Sequence, residues 1–256
     1  MTDMEGIGGV DRWGVVYGND PDYPAAREFL MRDVNAAVEG ILRDGDHEIY
    51  VCDGHLGGGH FIEGTLHEKA IQFRDFNDIA RLKFDAGMSI GAHAMAGTQH
   101  AFFEHTQDEN AVYNFYINGV KCGETEQFAG CLGAFGTPVV MVSGDKAACE
   151  QARERLGDIA VAIVKTATTR NTAVSLSDSE IKEAIASATE AGMKRINTIT
   201  PLTFTLPMEQ ILEYTHVALC DNRMNDPRRD PRIERISSRA IRRIIPAIET
   251  YGDLVL

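Results

Sequence analysis

Positive charge is scarce in this chain. Its 25 lysines and arginines face 38 aspartates and glutamates, a formal net charge of −13. That excludes the broad basic face on which nucleic-acid binding depends. No C-x-x-C occurs, and the five cysteines (Cys52, Cys122, Cys131, Cys149 and Cys220) are odd in number. Free, mostly buried thiols in a reducing, cytoplasmic setting are therefore expected, with Cys52 and Cys122 beside polar motifs. No apolar run approaches the roughly 20 residues of a membrane span, and no charged and apolar leader opens the sequence. H-E-x-x-H, G-x-x-x-x-G-K-[ST] and internal repeats are also lacking. Without the lysine-bearing pattern, "LGGGH" (Leu56 to His60) is a flexible turn and not a phosphate loop.

What remains is an ordinary globular composition, 44% hydrophobic and 25% charged over 256 residues. It suits one large domain, or one domain with a small appendage, and a core able to bury an active site. Apolar residues at helical spacing predict a helix over 24–44. "HEIYVCDGH" and "GMSIGAHAMAGT" read as strands that end in polar turns. "AVYNFYINGVKCGE" is a hairpin turning at Asn118-Gly119. "TEQFAGCLGAFG" is helical, "TPVVMVSGD" is a buried strand leading into a helix over 145–156, and "IAVAIVKTATTR" is a further strand. The alternation predicts an α/β domain over 1–177, with a largely parallel sheet flanked by helices. A small α+β subdomain is expected over 178–256. It would hold a capped helix from "SDSEIK", a strand in "TITPLTFTL", the charged "DNRMNDPRRDPRIER" and a closing helix near 234–250.

Ligands of α/β sheets gather at the carboxyl ends of the strands. Asp53 and His55 in "CDGH", His93 in "GAHA" and Asp145 in "VSGD" all follow apolar runs, and Glu124 starts a helix after the hairpin. At the start of the chain, Asp3 and Glu5 in "TDMEG" share one face if the segment is extended. Two converging carboxylates repel unless a cation lies between them. A solvated acidic segment accounts for the pair equally well on those residues alone. Together, Asp3, Glu5, His55, His93 and Glu124 make a mixed oxygen and nitrogen set suited to two zinc ions sharing a carboxylate. Such a site polarises a carbonyl and activates water against an amide. His47, His60, His67 and His216 are expected to be structural.

"TDMEGIGG", "CDGHLGGGH", "GAHAMAGT", "YINGVKCGE", "PVVMVSGD" and "VKTATTRNTAVSLS" stand in one order over residues 2 to about 180. In that order and approximate spacing they resemble the DppA-type zinc-dependent D-aminopeptidases, binuclear metallopeptidases that assemble into rings. The resemblance implies two zinc ions per subunit, with Asp3 bridging and Glu5, His55, His93 and Glu124 completing the ligand set. It implies a catalytic histidine just beyond the third motif, where His105 matches with a one-residue slip and His100 competes. Lys165 and Arg170 fall on a family motif and are expected to contact substrate, although neutralising an acidic surface would use them equally.

The implied activity is removal of the N-terminal residue from short peptides or aminoacyl amides. The implied assembly is a homo-oligomeric ring, a decamer by that resemblance, with no nucleic-acid or membrane partner. Another small amide as substrate, or a catalytically impaired metal-binding ring, is the alternative. Two departures from the family pattern bear on the site. The loop "TQHAFFEHTQDENA" is more acidic than usual, which is expected to alter substrate contacts. Only Met1 and Thr2 precede the acidic pair where relatives have a full strand, so Asp3 and Glu5 are expected to be less rigidly held.

Overall fold

The computed structural model describes residues 1–75 and 82–256. Helix α1 (Tyr23–Asp44) turns Ala26, Leu30, Val34, Ala37 and Val38 inward, the stripe its apolar spacing requires. It packs on α4 (Asp178–Met193), which starts at a capping box between Ser177 and Glu180. Both helices cover one face of a four-stranded sheet. Its strands are β3 (Gly87–Ala92), β6 (Val139–Asp145), β7 (Ala160–Thr169) and β8 (Thr172–Ser175). Strands β3, β6 and β7 run parallel, and β8 closes the edge as an antiparallel hairpin with β7. Every residue of β6 is buried, as expected of a strand with both faces covered. Leu30, Val34, Met141, Val164, Ile181 and Ile185 share this core.

A second, five-stranded sheet is antiparallel. It joins the hairpin β4 (Val112–Ile117) and β5 (Val120–Lys121) to β9 (Met208–Tyr214), β10 (Glu234–Arg235) and β11 (Ala240–Ile245). Phe115, Ile117, Leu212, Ile241 and Ile245 pack with Phe128 and Leu132 of α2 (Glu124–Ala134) beneath it. A separate two-stranded parallel pair is formed by β1 (Ile49–Val51) and β2 (Ala70–Gln72). Helix α3 (Lys146–Leu156) lies against β6 and β7, and α5 (Val217–Asn225) against β9 and β10. Among the described residues no helix is long and apolar enough to cross a membrane.

The fold is thus mixed α/β, with parallel, mixed and antiparallel sheets in place of one largely parallel sheet. The pairing also crosses the division expected at 177/178. Strand β4 pairs with β9 from the far side of that point, while α4 packs on α1 and β7. The closing helix expected near 234–250 is instead β10 and β11. Buried Ile241 and Ile245 cover the core, and β11 pairs with β9 along its whole length. The strand expected in "TITPLTFTL" begins later, at Met208. The hairpin turns where expected, with Asn118 at φ +50° and Gly119 at φ +78°.

Candidate metal centre

Residues 1–3 are held by backbone pairing on two sides. Thr2 makes parallel bridges to Asp53 and to Ile90 of β3. Its amide donates to the Cys52 carbonyl at 2.9 Å, its carbonyl accepts from Gly54 at 2.9 Å, and the Asp3 amide donates to Ile90 at 2.8 Å. Close approach of the next turn depends on glycine. A Cβ at Gly91 (φ +80°) would stand 2.3 Å from the Asp3 carbonyl oxygen, and one at Gly6 would stand 2.1 Å from that of Ala92. Asp3 is thus anchored through its backbone without a long strand before it, and the Glu5 carbonyl accepts from Lys165.

Asp3 faces two ways. Its Oδ1 lies 3.0 Å from His55 Nδ1 and its Oδ2 lies 3.2 Å from His93 Nε2. Glu5 Oε2 approaches His55 Nδ1 at 3.1 Å, and Glu124 Oε1 approaches His93 Nε2 at 3.5 Å. One donor atom from each of Asp3, Glu5 and His55 lies within 4.8 Å of the others, and the same holds for His93, His105 and Glu124. Two pockets therefore adjoin across the Asp3 carboxylate.

The imidazoles are oriented from behind. His55 Nε2 lies 3.2 Å from the Val16 carbonyl and His93 Nδ1 lies 3.1 Å from that of Ala94. A carbonyl only accepts, so those nitrogens carry protons in either charge state. His55 Nδ1 and His93 Nε2 are left to face the carboxylates, as N–H donors while the rings are charged and as lone pairs once a metal displaces that proton. Glu124, at the start of α2, is steadied by the Gln107 amide at 2.6 Å. Burial opposes charge on Asp3, yet His55 and His93 outweigh it and hold its carboxyl well below the usual range. Burial likewise works against a charged His55, but Glu5 and Asp3 raise it to about 11. Glu124 and Asp3 raise His93 in the same way, against its burial. The site is thus an anionic cluster balanced by protons on its histidines. Glu5 Oε2 and His93 Nε2 are buried without a hydrogen bond among the described residues. Orphaned donor atoms of this chemistry, in a set of three carboxylates and two or three imidazoles, fit a pair of zinc ions.

His105 stacks on His93, with ring centroids 3.9 Å apart and planes 8° from parallel. Its Nδ1 lies 2.9 Å from the Phe103 carbonyl, which leaves Nε2 for other chemistry. Its place in the second group puts it within reach of a metal there, a role its sequence position did not suggest. His100 is exposed, in left-handed backbone (φ +57°).

Lys165 does not face the site. Its ammonium donates to the carbonyls of Glu5 (2.5 Å), Ile7 (3.0 Å) and Val10 (2.5 Å), so its three protons are taken and none is left for substrate. Arg170 pairs with Glu104 at 2.9 Å and lies over the Phe103 ring, bracing the loop that carries His105. In the acidic loop, Asp108 caps the amides of Asn110 and Ala111, and Glu109 accepts from the Tyr17 hydroxyl at 2.7 Å.

Asp53 and Asp145 support loops. Asp53 accepts from the His60 amide at 2.7 Å, and Asp145 accepts from Phe102 and caps α3 through Ala148. His60 binds the His55 carbonyl (2.9 Å) and the Tyr23 hydroxyl (2.6 Å), a structural role close to the site. His47 pairs with Asp44, and His67 accepts from the Lys69 amide. All five cysteines are free and buried. Tyr251 went unnoticed in the sequence. Burial, then the charges of Glu124, Cys131 and Asp3, push its phenol well above the usual range, which brings a residue near the chain's end into the electrostatics of the centre.

The family model described as D-aminopeptidase matches residues 1–251. A D-aminopeptidase of Bacillus subtilis (strain 168) is 27% identical over 208 residues, 79% of this chain and 75% of that protein. In structure the chain is similar to a Bacillus subtilis protein described as the Zn-dependent D-aminopeptidase DppA, a self-compartmentalizing protease. The TM-score is 0.90 at 22% identity, over 99% of this chain and 93% of the other.

Proposed function

Since the chain belongs to the D-aminopeptidase family, we propose that it is a zinc-dependent aminopeptidase. It would release the N-terminal residue of short peptides, or hydrolyse aminoacyl amides, with two zinc ions per subunit. The observation that carries the reading is Asp3, whose two oxygens meet imidazoles of two different pockets at 3.0 and 3.2 Å. Asp3, Glu5 and His55 would hold one ion, and Asp3, His93 and Glu124 the other. Zinc bound there would polarise the scissile carbonyl and make water a stronger acid.

The chain's own residues supply the remainder. Asp3 offsets part of the repulsion between two cations. Val16 and Ala94 fix the imidazole tautomers. His105, with Nδ1–H donated to Phe103, keeps Nε2 to take a proton from water and pass it to the leaving amine. Arg170 and Glu104 hold the loop on which that histidine rides. The description of the Bacillus subtilis neighbour as self-compartmentalizing supports a homo-oligomeric ring, which would limit access to short peptides. Five free thiols suit a reducing cytoplasm.

A matched panel of D- and L-aminoacyl amides, assayed with added zinc, tests the function. Preferential turnover of D-aminoacyl amides is expected. Turnover of L-substrates alone, or of no amide by zinc-loaded protein, would overturn it.

A further inference from the structure

Lys165 is 1% exposed, on strand β7, and meets Glu5 at its backbone carbonyl, not at the carboxylate that faces His55. Resting on the metal reading above, we propose that Lys165 is a positioning residue for the Glu5 pocket, its ammonium gathering the Glu5, Ile7 and Val10 carbonyls to fix the turn that aims the Glu5 carboxylate. Three backbone carbonyls converge on one point between residues 5 and 10, and their dipoles repel one another unless a donor sits among them. An ammonium has three protons in a trigonal set and fills that point completely. The Phe102 ring centroid also lies 4.2 Å from Nζ, a cation–π contact.

The anchor is rigid at both ends. Lys165 pairs with Asp145 of β6 and Ser175 of β8, and the Ser175 hydroxyl accepts from the Gly9 amide of the same turn at 2.7 Å. Among the described residues Lys165 makes no hydrogen bond to Asp3, whose backbone is paired to Ile90 directly, or to His93 or Glu124. Its influence should therefore fall on one pocket and not on the other. Supporting groups of this kind commonly change metal affinity by about 10–100-fold.

Competition of zinc against a chromophoric chelator, on the full chain, resolves the two binding steps. Glu5→Gln identifies the step belonging to its pocket. Lys165→Met keeps the aliphatic stem and removes the ammonium, so that same step should weaken by about tenfold or more while the other stays within about twofold of the parent. Should Lys165→Met not be recovered folded, Lys165→Gln retains two donors without the charge and should weaken the same step to a lesser degree. Two unchanged steps, or two steps weakened alike, would overturn the assignment. Failure of the unsubstituted protein to bind zinc would instead sink the metal reading itself, and the two failures are distinguishable.

Discussion

Asp3→Asn separates a bridging ligand from a solvated carboxylate. The substitution keeps the shape and retains the Oδ1 that accepts from the Met4 amide at 2.9 Å, so the turn should fold as before. What it removes is one charge divided between two pockets. Two unit charges about 4 Å apart are worth about 4 kcal/mol at an effective dielectric of about 20. Half of a carboxylate charge on each oxygen, acting on a doubly charged ion, gives a similar figure for each pocket. That corresponds to about three orders of magnitude in affinity per ion.

Glu5→Gln provides the contrast, because Glu5 belongs with Asp3 and His55 and not with the His93, His105 and Glu124 group. Zinc titration should find both steps weakened in Asp3→Asn and one step weakened in Glu5→Gln. Thermal melting of the zinc-free proteins checks that each variant folds. Parental affinity at both steps in a folded Asp3→Asn would refute the bridging argument.

His105→Ala should depress turnover by about two to four orders of magnitude and leave zinc content near two, whereas His100→Ala should change little. Loss of one zinc from His105→Ala, read by metal analysis, would make His105 a ligand instead. Burial, partly offset by Arg32 and the Gly8 amide, raises Asp33 to about 6. The folded chain therefore binds this proton more tightly than the unfolded one, whose value is about 3.9, and stability falls as pH rises between those limits. Urea unfolding at pH 4 and pH 7 should show the parent losing about 2 kcal/mol relative to Asp33→Asn; no relative change would contradict the argument. Light scattering at micromolar concentration should return a large homo-oligomer, and a monomer would remove the ring.

His55 and His93 were legible because they follow apolar strands, and strand ends converge in α/β sheets. Asp3, Glu5, His55, His93 and Glu124 all meet, although the chain separates them by up to 121 positions. The misreadings have physical causes. Lys165 on a strand next to polar residues looks like a substrate contact, and only the three-dimensional path of residues 5–10 reveals three carbonyls waiting for it. The isoleucines of "AIRRII" fit helical spacing as well as strand spacing, and tertiary pairing with β9 decides for the strand. Tyr251 left no local signal, since its charge neighbours come from residues far away in the chain.

We propose a two-zinc centre that hydrolyses D-aminoacyl amides. Its most direct test is zinc content and D-aminoacyl amide turnover followed together while a chelator strips the protein and zinc is restored stepwise. Two zinc ions per chain, activity that disappears with the metal, and recovery as both ions return are the expected results. Turnover that persists in metal-free protein, or saturation at less than one zinc per chain, would contradict it.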